Sequence, residues 1–122
     1  ILLFSTGRST QTYKLGDFNL SRSINSYSCL KHSYCGTLLT MAPEVIGHQP
    51  YNHKIDIWSL LCVFIEIVTF TRMNPIHITT KALIARFEHH DFRAQLITSL
   101  LHRKNARNRP SATRALRIIK AL

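Results

Sequence analysis

Cys35-Gly36-Thr37-Leu38-Leu39-Thr40-Met41-Ala42-Pro43-Glu44, followed after a short gap by Asp56-Ile57-Trp58-Ser59-Leu60-Leu61-Cys62, is the stretch on which the reading of this chain turns. Pro43-Glu44-Val45-Ile46 predicts a short helix with proline in its first turn and an end near Gly47, because proline lacks the N–H that a first turn leaves unpaired. Asp56 opens the most apolar segment. Trp58, Leu60, Leu61, Val63, Phe64, Ile65, Ile67 and Val68 cover nearly all sides of a helix, the pattern of a helix buried all round. The run from Ile57 to Phe70 carries Glu66 and is shorter than the roughly 20 residues of a membrane-spanning helix, so burial in protein is the better reading.

Upstream, the apolar run Ile1–Phe4 and the extended Tyr13-Lys14-Leu15 flank a polar turn, Ser5 to Ser9, and together predict a small hairpin with Asp17 just beyond it. Ser21 to Leu39 holds no sustained period of either kind and reads as a long surface loop. Downstream, Lys81–His89 and Ala94–His102 carry apolar residues at helical spacing. Arg107 to Pro110 breaks the chain, and Ser111 is placed to cap a last helix bearing Ala115, Leu116, Ile118, Ile119 and Leu122.

The 122 residues suffice for one small domain with one core, and 45% apolar composition is ordinary for a folded protein. Ile1 in place of a starting Met, with no basic-then-apolar leader, reads as a fragment or processed chain rather than a secreted precursor. Cys29, Cys35 and Cys62 form neither a CxxC pair nor a disulfide framework, which favours a reducing compartment, cytoplasm or nucleus. The formal charge is +10, and no acid follows Asp91 while Arg93, Arg103, Lys104, Arg107, Arg109, Arg114, Arg117 and Lys120 do. Such a tail attracts phosphate. Its plainer reading is a solvated basic face.

Four landmarks stand in order: Lys14-Leu15-Gly16-Asp17-Phe18-Asn19-Leu20-Ser21-Arg22, then Cys35 to Glu44, then Asp56 to Cys62, then Arg109-Pro110-Ser111-Ala112. In this order and at these gaps the chain resembles the eukaryotic protein kinase superfamily, serine/threonine branch, with a NIMA-related affinity. The landmarks resemble the metal-binding DFG segment, the GT…MAPE end of the activation segment, the D-x-W-S-x-G start of the central helix, and the R-P-S before the final helix. The resemblance implies a partial α+β kinase fold, mostly a helical C-lobe with one N-terminal β-hairpin. Its parts would be a hairpin over 1–16, an activation segment over 17–44 and a helical lobe over 45–122.

By that resemblance Asp17 holds Mg²⁺ beside ATP, where phosphoryl transfer needs a cation against the charge gathering on the phosphate oxygens. By itself Asp17 also reads as a turn aspartate. Phe18 resembles the hydrophobic switch residue beneath the regulatory helix of the other lobe, or is an ordinary core phenylalanine; both imply burial. Thr37 resembles the hydroxyl that bridges toward the catalytic base, and otherwise reads as a loop threonine bonding its own backbone. Ser33 stands where relatives carry an activating phosphate, with Ser26 and Ser28 as weaker candidates and an unmodified serine as the alternative. Glu44 and Arg109 resemble the structural carboxylate–guanidinium pair that fastens the loop to the helical lobe. Asp56 resembles the buried aspartate that accepts backbone N–H groups of the catalytic loop, or is a plain helix N-cap.

The sequence also departs from the family. It contains no Gly-rich phosphate loop, no strand lysine with its helix glutamate and no H-R-D loop, which is expected to end a few residues before Ile1. Asn19 replaces the glycine of DFG, Leu61 replaces the usual glycine of the central helix, and Thr40 stands where tyrosine is usual. The expectation is a kinase fragment that binds no ATP or Mg²⁺ alone, whose complete form takes both and meets a protein substrate or an upstream kinase. The missing N-terminal portion is its first partner. The alternative is a pseudokinase or kinase-derived interaction fragment. A nucleic-acid binder is disfavoured, since no recognition helix or stacking set accompanies the charge. A metal site from Cys29, His32 and Cys35 lacks a fourth ligand. His48, His53, His89 and His90 read as polar surface residues.

Overall fold

The computed structural model describes residues 2–6, 10–19, 21, 38–86 and 92–121. The chain begins with an antiparallel hairpin, β1 (Leu2–Thr6) and β2 (Thr10–Lys14), in the register Leu2 opposite Lys14 through Thr6 opposite Thr10. Helices follow: α1 (Pro43–Ile46), α2 (Ile55–Thr69), α3 (Thr80–Ile84), α4 (Phe92–Leu101) and α5 (Ala112–Lys120), with single 3₁₀ turns at Leu38–Thr40 and Pro75–His77. The architecture is that of a mostly helical body with one N-terminal hairpin, as the sequence predicts.

Helix α1 starts with Pro43 at its first position and stops at Gly47, whose N–H returns to the Pro43 carbonyl at 2.9 Å. Helix α3 is capped by the Thr79 hydroxyl, which accepts from Ala82 N at 3.2 Å, and ends at Ile84. That is short of the predicted His89; residues 87–91, with His89 and His90, lie outside the described residues. Ser111 caps α5 by accepting from Arg114 N at 3.3 Å, and Arg117 and Lys120 in its last turn sit favourably against the negative end of the helix dipole.

The core forms around α2. Ile57, Trp58, Leu61, Cys62 and Ile65 share one face of that helix and meet Ala42, Leu83 of α3, Leu101 of α4 and Ala115 of α5. Burial lifts the thiol of Cys62 to about 11, so it stays protonated and packs as a small apolar side chain. Leu61 is fully buried, so the bulk it adds in place of glycine is absorbed by the core.

The expectation that α2 is buried all round is corrected: Leu60 and Ile67 are 42% and 65% exposed. They lie seven residues apart on one flank, while the opposite flank carries the packing against α4 and the 38–40 turn. In the basic tail Arg93, Arg103, Lys104, Arg107, Arg114, Arg117 and Lys120 are all exposed, and Arg109 is buried.

Candidate functional site

Arg109 organises the centre of the molecule. Its Nη1 donates to Glu44 Oε1 at 2.6 Å and its Nη2 to Glu44 Oε2 at 3.0 Å, a two-pronged contact between planar groups. The remaining N–H groups are also used. Nη1 donates to the Lys54 carbonyl at 3.0 Å, Nε to the Arg103 carbonyl at 3.0 Å, and Nη2 to the Lys104 carbonyl at 3.3 Å. Every donor of the guanidinium therefore has an acceptor. That allows a charged side chain to be 1% exposed, with its carboxylate partner at 9%. The cation also lies 5.2 Å from the ring centroid of Trp58, within range of attraction to the indole face.

Two further contacts, not foreseen in the sequence, hold the segment that leads into α1. The Asn74 amide donates to the Leu38 carbonyl at 3.1 Å and the Met41 carbonyl at 2.9 Å, while its own oxygen accepts from Ile76 N at 3.3 Å. Ser59 of α2 donates its hydroxyl to the Thr40 carbonyl at 3.0 Å. Residues 38–44 are thus fixed at both ends, by Asn74 and Ser59 before Pro43 and by Arg109 after it. An Asn before Pro75 could have been noticed as a cap signal, since Asn74 caps the Pro75–His77 turn, but its reach to residues 38 and 41 had no local signature.

His102 was also missed. It is 3% exposed at the end of α4, its Nε2 lies 3.2 Å from the Pro75 carbonyl, and its Nδ1 lies 2.9 Å from Thr80 Oγ1. A carbonyl can only accept, so Nε2 carries the proton and Nδ1 accepts from the threonine hydroxyl. Burial pushes the His102 pKa below its usual range; the Pro75 bond opposes this, and the nearby charges of Lys104 and Arg103 add to it. The ring also lies 5.7 Å from that of Trp58.

At the other end, Asp17 is exposed beyond the hairpin with a left-handed backbone (φ 62°), and the Asn19 amide donates to its Oδ1 at 2.9 Å. Among the described residues no three His, Cys, Asp or Glu side chains converge as a metal site. Asp17 thus offers a single carboxylate with one lone pair already engaged. That donor set fits Mg²⁺, which keeps several waters and takes one or two protein carboxylates beside phosphate oxygens.

Two expected placements are corrected. Phe18 is 64% exposed rather than buried, because no apolar element among the described residues reaches it. Asp56 is exposed in the first turn of α2, where its charge favours the helix dipole. It is neither a buried acceptor nor the N-cap, which is Lys54. Thr37, Ser33, Ser26, Ser28, Cys29, His32 and Cys35 lie outside the described residues.

The family described as "Protein kinase domain" matches residues 1–118. Serine/threonine-protein kinase Nek1 of Mus musculus is 34% identical over 113 residues, covering 86% of this chain and 9% of that protein. Serine/threonine-protein kinase Nek5 of Mus musculus is 35% identical over 112 residues, covering 85% of this chain and 18% of that protein. Serine/threonine-protein kinase Nek2 of Mus musculus is 34% identical over 117 residues, covering 88% of this chain and 26% of that protein. The chain belongs to the protein kinase family, in its serine/threonine, NIMA-related branch, and spans a minor part of the length of these relatives.

Proposed function

We propose that this chain is the activation-segment and helical-lobe part of a serine/threonine protein kinase, which in its complete form transfers the terminal phosphoryl group of ATP to protein hydroxyls. The observation that carries the reading is the buried Glu44–Arg109 pair, which ties the segment ending in Pro43-Glu44 to the helical body. In phosphoryl transfer the protein's work is positioning and electrostatic stabilisation, so a rigidly seated activation segment is what the chemistry requires.

Within this reading Asp17 would ligate Mg²⁺, which would neutralise charge on the ATP phosphates. The Asn19 amide donates to one oxygen of that carboxylate. Thr37 would lie against the substrate hydroxyl, Ser33 would be the regulatory phosphosite, and Phe18 would pack against the rest of the kinase. Asp56 would meet the catalytic loop at the start of α2.

The Asn19 contact favours a second reading, an inactive interaction module, because it engages an oxygen that the metal would use. Calorimetric titration of the complete parent protein with Mg²⁺–ATP separates the two. Binding that Asp17→Ala abolishes supports the enzyme; absence of binding in the unsubstituted protein overturns it.

A further inference from the structure

A cavity of about 340 Å³ opens where the start of α3 meets the loop after α4, far along the chain from Asp17 and the activation segment. Thr79 and Thr80 at the start of α3, His102 at the end of α4, and Arg103, Lys104, Asn105 and Asn108 of the following loop line it. Among the described residues no carboxylate is in the lining. Two cations are, both exposed, and neither has a carboxylate within ion-pair distance among the described residues.

The hydrogen-bonding capacity left in the cavity is also one-sided. Asn105 has committed its oxygen to Arg107 N at 2.9 Å, which leaves its amide hydrogens to donate. The Thr79 oxygen accepts from Ala82 N at 3.2 Å, so its hydroxyl proton is the group left over. Thr80 and His102 satisfy each other and form a neutral wall. The loop is not free to collapse, because its Arg103 and Lys104 carbonyls are both held by buried Arg109. Guanidinium, ammonium and amide donors on a fixed loop and a hydroxyl at the start of α3, with no competing anion among the described residues, complement a ligand that only accepts.

The geometry points to this cavity as a recognition site for a phosphomonoester on a peptide, a phosphoserine or phosphothreonine side chain presented to Arg103 and Lys104. Its size suits a phosphorylated side chain, and the donors match the phosphate oxygens. Among the described residues the lining holds no exposed aromatic ring on which a nucleobase would stack, and no large apolar side chain to enter a bilayer. A phosphopeptide is the source these walls favour. The site is independent of the kinase reading, since none of its residues is assigned to nucleotide, metal or the activation segment.

The test uses the complete parent protein and fluorescein-labelled nonapeptides, one with central phosphoserine and one with central serine, in anisotropy titrations. A single-stranded oligonucleotide and inorganic phosphate serve as competitors. The phosphopeptide is expected to bind, the serine peptide is not, and inorganic phosphate is expected to displace the phosphopeptide. Arg103→Gln with Lys104→Gln should weaken binding by about tenfold or more, the factor given by losing one charge-assisted hydrogen bond. Both side chains are exposed, so the thermal midpoint should hold. Asn105→Asp supplies a second variant that keeps an oxygen for Arg107 N but replaces the amide donors with a negative charge, and it is expected to weaken binding. Equal binding of the two peptides, undiminished affinity in the double variant, or preference for the oligonucleotide would each overturn the proposal.

Discussion

Arg109 stacks its guanidinium carbon 5.2 Å from the centroid of Trp58 while gripping Glu44 with both terminal nitrogens. One side chain thus joins the loop after α4, the first turn of α1 and Trp58 of α2. Arg109→Lys keeps the charge, but an ammonium is a compact point donor and cannot serve acceptors set in a planar fork. The expected loss is about 3–5 kcal/mol, as for breaking a buried ion pair. Urea denaturation should show it as a large fall in midpoint, and Glu44→Ala should match it.

Asn74 makes a sharper test, because it acts on segment 38–41 rather than on the core. Asn74→Asp turns a donor into a carboxylate facing the Leu38 and Met41 carbonyls, and should be worse than Asn74→Ala. We expect a loss of about 1–3 kcal/mol for alanine. Amide hydrogen exchange should rise first at residues 38–42. Unchanged exchange there in either variant would contradict the clamp.

His102 predicts a pH dependence. Its folded pKa lies below the usual 6.5, so in the window beneath 6.5 the unfolded chain binds the proton that the folded chain refuses. Its contribution to stability is complete above that value and is lost as pH falls toward the folded pKa. Denaturation midpoints should therefore decline on acidification below about pH 6.5, and His102→Gln should flatten that part of the profile.

Asn19→Gly should tighten Mg²⁺–ATP binding by the parent protein a few-fold, since the Asp17 oxygen now shared with the Asn19 amide becomes available to the metal. Titration calorimetry on both proteins reads this directly. Weaker binding in the glycine variant would show instead that Asn19 is needed to aim the carboxylate.

Leu61→Ala should cost about 2–5 kcal/mol, since the fully buried side chain leaves a cavity among Trp58, Ile65 and their neighbours. Against a total of roughly 5–15 kcal/mol, the loss should be visible as a lowered thermal midpoint.

What the sequence revealed and what it hid follow one physical division. Pro43, Gly47 and Ser111 act through backbone rules that operate within a few residues, and the elements they bound stand where those rules put them. The Glu44–Arg109 pairing spans 65 residues and was legible only through family resemblance. Asn74 and His102 act across 33 and 27 residues with no local pattern, so ordinary side chains concealed the clamp and the buried imidazole. For Phe18 and Asp56 the resemblance implies burial that requires atoms beyond the described residues, and among those residues both are exposed.

The distance along the chain between Glu44 and Arg109 also has a temporal side. A ribosome adds about 5–20 residues per second, so the 65 residues separating the pair take roughly 3 to 13 s to appear. Throughout that interval the carboxylate has no guanidinium, and the apolar face of α2 waits for Leu101 and Ala115. The nascent chain therefore passes through a period in which its most apolar helix is made and its cover is not. That is the kind of client a ribosome-bound chaperone receives.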